Sequence, residues 1–588
     1  MKKTLKLTAT LMLLGVLAFT ACSGKKEQNI PSIITQTTAP AESSVPDESS
    51  ASSENTAEPQ RKNKDIVILA TSDVHCCPQK GFGYAGLYRI REKFLKEGCE
   101  VILVDDGDEI EGHGELFGTV TQGEQFIDLM NKMGYDVATP GNHDFNYGPD
   151  RFIELTQKAK YPYISCNITK NGKLLFEPYV IKEVAGKKIA FVGVTTPRTL
   201  GYYTSESLFK DNNNKTIYSF KGGNKNKKLF AAVQAYADYA RKAGADYVFL
   251  MSHFGQAKKY NDWDEITTLV ANIRGIDAVL DGHSHDAKKL ELTDADGKTV
   301  DRIAMGSKFS RIGYVRISGE DGSVKTQIFN WNSSVSAAEL FGIKNEMSEE
   351  VDKSLAEYKD IFYGKNGTNN NPLFINDPNN VHPDGSPIKI ISKTETNLGD
   401  FAADAFRIVT GADVAFITAD KFNEALPQGD VSMRDLYMVL PTAKKTVTVY
   451  ATGQQILDAL EWSVHSYPEA NSSFLQVSGI TFQIKTKVKT PCKVKKGKLK
   501  EIKGDRRVCN VKIGGAAIDP EKTYKVTSYL STITGASGGY KMFKSCKRVK
   551  MDSRLDFQIL YQYMTENLKG VIGDQYLNPG GSKRITAV

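Results

Sequence analysis

Five short apolar runs in this chain each end in residues that can hold a cation. Asp65-Ile-Val-Ile-Leu-Ala leads into Thr71-Ser72-Asp73-Val74-His75, and Val101-Ile-Leu-Val leads into Asp105-Asp106-Gly107-Asp108. Asp136-Val-Ala-Thr-Pro leads into Gly141-Asn142-His143-Asp144, Tyr247-Val-Phe-Leu-Met into Ser252-His253, and Ala278-Val-Leu into Asp281-Gly282-His283-Ser284-His285. Of the eight histidines, five fall in these segments, while His113, His382 and His465 lack such a setting and read as surface or loop residues. A lone strand-end histidine is ordinarily a hydrogen-bonded core residue. Five of them, beside Asp73, Asp108 and Asn142, point instead to a metal centre. Imidazole and carboxylate donors suit Zn, Mn, Fe or Co, whereas an all-oxygen Mg or Ca cage has no need of four histidines.

The apolar runs alternate with periodic stretches such as Tyr88–Glu97 and Leu229–Ala243, the pattern of buried strands crossed by amphipathic helices. That is α/β architecture, in which ligands gather at the carboxyl ends of strands.

Taken in order and spacing, Asp73-x-His75, Gly107-Asp108, Gly141-Asn142-His143-Asp144, Ser252-His253 and Gly282-His283-Ser284-His285 resemble the calcineurin-like metallophosphoesterases. Gly107-Asp108-Glu109-Ile110-Glu111-Gly112, Gly123-Glu124 and Asn131–Asp136 resemble their bacterial 5′-nucleotidase branch. The resemblance runs from residue 64 to about 588. It implies a four-layer αββα sandwich over 64–335, a connector helix and loop over 336–387, and a smaller α/β substrate-recognising domain over 388–588. It also implies two divalent ions, one held by Asp73, His75 and His285 and one by Asn142, His253 and His283, with Asp108 bridging. His143 would then stabilise phosphoryl oxygens or protonate the leaving alkoxide, oriented by Asn146, where the branch commonly has Asp. An Asn there also occurs in the similar 2′,3′-cyclic-nucleotide phosphodiesterase/3′-nucleotidase branch.

Glu395–Asp404, Gly429–Ser432, Leu440-Pro441 and Phe474–Gly479 resemble the 5′-nucleotidase C-terminal domain. Two of that domain's features are altered. Where the family has Asn-Gly-Gly-Gly-Ile-Arg this chain reads Thr418–Asn423, so the phosphate-binding Arg aligns with Asn423 and Lys421 is the nearby cation. Where it has an aromatic and then Gly-Gly-Asp-Gly-Tyr, the chain has Thr532 and Gly535–Tyr540. Phe474 or Tyr540 could stack on a base or belong to the core. The expected activity is hydrolysis of nucleotides or related phosphoesters. A cyclic-nucleotide diesterase, a UDP-sugar hydrolase, a non-nucleotide phosphatase and a surface binding protein with little turnover are the alternatives.

The 588 residues carry a formal net charge of +7. Lys485–Arg507 holds eleven Lys and Arg against Glu501 and Asp505, so the remainder is not basic and binding to a nucleic-acid polymer is not expected. The Lys-rich stretch reads as a solvated hairpin face, with Ile484–Val488 and Val508–Val511 as its strands and a Cys492–Cys509 bridge expected across it. Cys76-Cys77 reads as inert loop.

At the N-terminus Lys2 and Lys3 precede a short apolar stretch, Leu7–Phe19, and Thr20-Ala21 stands before Cys22. This resembles the bacterial lipoprotein signal, and residues 1–22 are expected to leave a lipidated Cys22 as the anchor of an exported protein on the outer side of the cytoplasmic membrane. Of the 41 residues Ser23–Asn63, 28 are Ser, Thr, Pro, Ala, Glu or Gln and none is aromatic, the composition of a disordered tether. Such a coil would hold the body about 35 Å from the lipid. Cys22→Ser is therefore expected to move the protein from the detergent phase to the soluble fraction at unchanged specific activity; unchanged partition would remove the lipid assignment.

Overall fold

The computed structural model describes residues 64–111, 116–256, 261–495 and 498–588; the leader, Cys22, the tether and His113 lie outside them. The Ile66–Thr71 strand is buried at every position, as a strand covered on both faces must be. It runs parallel to Glu100–Asp105, which pairs with Val137–Ala138, and antiparallel to Arg311–Ile317, which pairs with Val324–Asn330. A second sheet has the order Ala287–Thr293, Thr299–Met305, Ala278–Asp281, Tyr247–His253, Lys187–Thr195, Tyr179–Val184.

Ile68, Ile102 and Val137 of the first sheet and Phe191, Phe249 and Leu280 of the second share one buried core between the sheets. Outside the second sheet lie Leu229, Val233 and Ala237 of the Lys227–Lys242 helix. Outside the first, Phe94 of the Gly83–Lys96 helix stacks on Tyr314 at 5.3 Å. The layers therefore run helix, sheet, sheet, helix. Register brings the parallel strands to a common edge, with Thr71 opposite Asp105, Ser252 opposite Asp281 and Thr195 opposite His253.

The helical stretch expected over Ala337–Phe362 is two helices, Ala337–Leu340 and Glu346–Tyr363, the second opened by a capping box between Asn345 and Ser348. The longer one touches both domains: Tyr358 packs on Phe117 at 5.3 Å and Phe362 on Tyr437 at 6.1 Å. Residues 363–387, read as a long excursion, instead supply the Gly367–Asn369 strand, which pairs with Gly429–Val431 and Val571–Ile572. Leu373 and Ile375 enter the C-terminal core. Partners that remote in sequence leave no local pattern.

The C-terminal domain is built on a sheet of order Leu475–Ser478, Val414–Thr418, Thr523–Tyr529, Lys445–Thr452, Lys547–Leu555, packed by the Asn397–Thr410 helix. The expected hairpin forms, with Ile484 opposite Val508. Within it the Lys-rich run folds a second hairpin of its own, Cys492–Lys495 against Lys498–Ile502. That geometry corrects the expected disulfide. Cys492 faces Ile502 while Cys509 faces Gln483, and both are free thiols, as are Cys76, Cys77, Cys99, Cys166 and Cys546. No helix of the described residues is long and apolar enough to cross a membrane.

Candidate metal centre

At the common strand edge, turns carry the side chains inward. Asp73, His75, Asp108, His283 and His285 all adopt positive φ, between 49° and 76°. Left-handed backbone at residues with a Cβ costs about 1–3 kcal/mol each and persists only where the surroundings enforce it. Part of the enforcement is a contact only glycine permits. A Cβ on Gly107 would lie 2.3 Å from Gly141 N, and one on Gly141 would lie 2.2 Å from Asp108 Oδ1, so the two loops meet backbone to backbone. Cross-links complete it: His143 N donates to Asp108 Oδ1 (2.6 Å), and His283 N donates to Asp73 Oδ2 (3.1 Å).

The imidazoles are oriented by carbonyls, which only accept. His75 gives its Nδ1 proton to Glu111 O (2.8 Å), and His253 gives its own to Asp106 O (2.6 Å). Their Nε2 atoms therefore face inward. His75 Nε2 lies 3.0 Å from His285 Nε2, which in turn is 3.3 Å from Asp73 Oδ1. His253 Nε2 lies 3.0 Å from Asp108 Oδ2 and 3.2 Å from Asn142 Oδ1. Two sets of donor atoms, Asp73/His75/His285 and Asp108/His253/His283, are each tight enough for one ion. Asp73 Oδ1 is also 4.0 Å from His253 Nε2, so the sets adjoin. Acceptors that converge this closely require positive charge between them, and the donor chemistry fits a pair of Zn-, Mn-, Fe- or Co-class ions.

The protonation equilibria report the same demand. Burial opposes the charge on Asp108, yet His253 and His143 hold its carboxyl well below the usual range. Burial likewise opposes charge on His253, and the adjacent Asp108 more than offsets it, pushing His253 up to about 10. His283 is pushed down to about 3 by burial and then by the His253 charge, which keeps it the neutral imidazole that a ligand must be.

His143 is held from its far side. Asn146 Nδ2 meets His143 Nδ1 at 2.9 Å, and Thr204 Oγ1 donates to Asn146 Oδ1 at 2.8 Å, so the ring's own proton sits on Nε2. Glu111 Oε2 lies 3.4 Å from the same Nδ1, placing a carboxylate beside the ring although position 146 has an amide.

Several supports went unread in the sequence. Asp144, buried and with its pKa raised to about 6 by burial and by Asp108, accepts from Asp108 N (3.1 Å), Gly141 N (2.7 Å) and Ile110 N (3.3 Å). Arg302, fully buried, donates to Asp281 Oδ2 (2.7 Å) and Asp286 Oδ2 (2.6 Å), the residues flanking His283 and His285. An Arg directly before the apolar Ile303-Ala304-Met305 end of the Thr299–Met305 strand was the available signal.

The C-terminal candidates have their hydrogen-bond partners within that domain. Lys421 Nζ is bonded to Asp420 Oδ2 (2.8 Å) and Ser537 Oγ (3.4 Å), and exposed Asn423 donates to Met438 O (3.4 Å). Phe474 and Tyr540 are 1% and 0% exposed in the C-terminal core, with Tyr540 Oη bonded to Ser473 O. Neither ring has a face for a base, so of the two readings left open by the sequence the core one holds. His465 lies in the turn after the Gly453–Ser463 helix, as a loop residue would, with its ring stacked on Trp462 at 4.0 Å.

Residues 66–287 match the family model of the calcineurin-like phosphoesterases, and residues 382–545 match that of the 5′-nucleotidase C-terminal domain. The chain thus carries a calcineurin-like phosphoesterase domain and a 5′-nucleotidase C-terminal domain. It is similar to the trifunctional nucleotide phosphoesterase protein YfkN of Bacillus subtilis, 24% identical over 86% of this chain and 34% of that one. It is also similar to the 2′,3′-cyclic-nucleotide 2′-phosphodiesterase/3′-nucleotidase of Haemophilus influenzae, 30% identical over 38% of this chain and 37% of that one. The match thus spans about a third of the length of each of these two relatives. The 5′-nucleotidase of Rattus norvegicus is 24% identical over 86% of this chain and 89% of its own. Among solved structures, a 5′-nucleotidase precursor from Thermus thermophilus aligns over 89% of this chain and 99% of its own, at 19% identity and a TM-score of 0.43.

Arg302 offers a test of how the metallophosphoesterase loops are held. Arg302→Met would strand Asp281 and Asp286 and is expected to lower stability by about 3–5 kcal/mol in denaturant titration. Metal affinity should weaken roughly 10–100-fold in competition with a chelator, and unchanged affinity in the folded variant would deny Arg302 any part in the site.

Proposed function

We propose that this protein is a metal-dependent hydrolase of nucleotides and related phosphoesters. The observation that carries the reading is the pair of adjoining acceptor sets with His143 beside them. In this reading Asp73, His75 and His285 would hold one ion, Asn142, His253 and His283 would hold the other, and Asp108 would serve both. Two such ions, when bound, supply Lewis-acid charge and an activated water for in-line displacement at phosphorus. The chain's own part is orientation and proton handling. Asn146 and Thr204 set His143 so that its Nε2 proton faces the reacting phosphoryl group or the departing alkoxide. The relatives' names support nucleotide substrates, and the amide at Asn146 favours a second reading, a 2′,3′-cyclic-nucleotide diesterase/3′-nucleotidase. Export and tethering through a Cys22 lipid rest on the leader sequence.

Metal analysis and phosphate release from AMP, 3′-AMP, 2′,3′-cyclic AMP, UDP-glucose and an aryl phosphate test the reading together. Turnover should vanish on chelation, return with added Zn, Mn or Co, and be abolished with loss of bound metal in Asp108→Asn. Fewer than about one ion per chain after supplementation, with no hydrolysis across the panel, would make this a binding protein.

With Asn423 in place of the expected Arg, and Lys421 already engaged by Asp420, the wild type should discriminate weakly between AMP and the aryl phosphate. Asn423→Arg should raise kcat/KM for AMP selectively, on the order of ten-fold or more, because a charge-assisted bond is worth about 1.5–3 kcal/mol. A wild-type preference for AMP of about a thousand-fold would exceed what one such bond supplies and show that another residue supplies the clamp.

A further inference from the structure

The loop that follows the Lys187–Thr195 strand is pinned to the metal centre at both ends. Thr196 N donates to His253 O (2.9 Å), and Thr204 Oγ1 reaches Asn142 O (3.3 Å) and Asn146 Oδ1 (2.8 Å). Between the pins, Gly201 N donates to Thr204 O (2.9 Å) and Tyr203 N to Arg198 O (3.4 Å), which closes the loop on itself. Tyr203 stands edge-on to His283 with ring centroids 4.9 Å apart and an interplanar angle of 89°, and its ring is 6.1 Å from that of His143. Tyr202 leans on Tyr203 at 4.8 Å and is 65% exposed, the most exposed of the large hydrophobic side chains in the described residues. Arg198 lies under the Tyr202 ring, its guanidinium 4.2 Å from the centroid, and is itself held by Asp264 at 3.4 Å.

We propose that Tyr202, backed by Arg198, is an aromatic subsite at the rim of the metal centre that takes the planar group of the substrate, a nucleobase or an aryl ring. The inference rests on the phosphoester-hydrolase reading and names its substrate class. Three features carry it. The ring is mounted on a loop fixed to two ligand-bearing segments, so its place relative to the reacting phosphorus is set. The ring is backed by a guanidinium yet 65% exposed, so ring surface stays open to a ligand, and a cation behind it adds favourable charge for an anionic ester. Among the exposed aromatic side chains, those of Tyr239, Tyr363 and Phe341 make their ring contacts with other surface or core rings, whereas Tyr202 connects through Tyr203 to a ligand imidazole. The burial of Phe474 and Tyr540 removes the C-terminal rings from that role.

Base–aromatic stacking is worth roughly five- to a hundred-fold in affinity. Tyr202→Ala should therefore lower the ratio of kcat/KM for AMP over glycerol 2-phosphate by that factor, and lower the ratio for p-nitrophenyl phosphate over glycerol 2-phosphate similarly, while Tyr202→Phe keeps both. Tyr239→Ala, on an exposed helix face, is the control. A readout independent of turnover is adenosine titrated into Tyr202→Trp, where quenching of the added indole should saturate beyond the response of the native tryptophans in the parent protein. A ratio unchanged in Tyr202→Ala, or adenosine quenching no different from the parent, overturns the subsite. If the parent hydrolyses none of the esters, the hydrolase reading fails, and the adenosine titration still decides whether the ring binds a base.

Discussion

Ring nitrogens and carboxylate oxygens gathered into one buried cluster are the constraint on which this structure is organised. Two imidazole nitrogens stand 3.0 Å apart, and a third faces both a carboxylate and an amide oxygen, a set that holds together only with positive charge, as a proton or a metal ion, among its members. Nothing in the local chain favours that arrangement. It is imposed by positive φ at five of the seven ligand candidates, by two glycine loops in backbone contact, and by Asp144 and Arg302 working from behind. The buried charges are balanced in layers: Arg302 answers Asp281 and Asp286 beneath the histidine loop, which leaves Asp73 and Asp108 to face the ions. The cost in strain and desolvation falls at the place where it prepares a cation site, as stored strain does at functional sites generally.

What was legible in the sequence was whatever repeats at short range. Each ligand follows its strand within a few residues, so Asp73, Asp108, Asn142, His253 and His283 could be found by reading strands and looking past their ends. The supports obey no such rule. Arg302 is tied to the His283 loop by a strand pairing, Glu111 is tied to His143 across two loops, and Thr204 reaches Asn146 from a loop whose own sequence suggests only a turn. The Gly367–Asn369 strand finds one partner some two hundred residues on, and composition made it look like loop.

Errors in the C-terminal domain have a different origin. For Phe474 and Tyr540 the sequence left stacking and core open, because a ring's type does not say which way it points, and both turn into the core. Cys492 and Cys509 flank a hairpin in sequence, but the Lys-rich run folds back on itself between them and assigns each a different neighbour. In both cases residue identity was read correctly, and packing decided the outcome.

The chain leaving the tyrosine loop passes directly under the other domain. Arg548, on the Lys547–Leu555 strand, takes hold of two main-chain carbonyls there, donating from Nη1 to Ser207 O at 2.7 Å and from its backbone N to Asn212 O at 3.0 Å; Asn214 returns the grip on Cys546 O at 3.2 Å. The C-terminal body is thus buckled to the first domain within a few residues of the rim, and it cannot swing clear without first unfastening these bonds. A change in how the C-terminal domain packs at Arg548 would therefore act on the stretch that leaves the tyrosine loop.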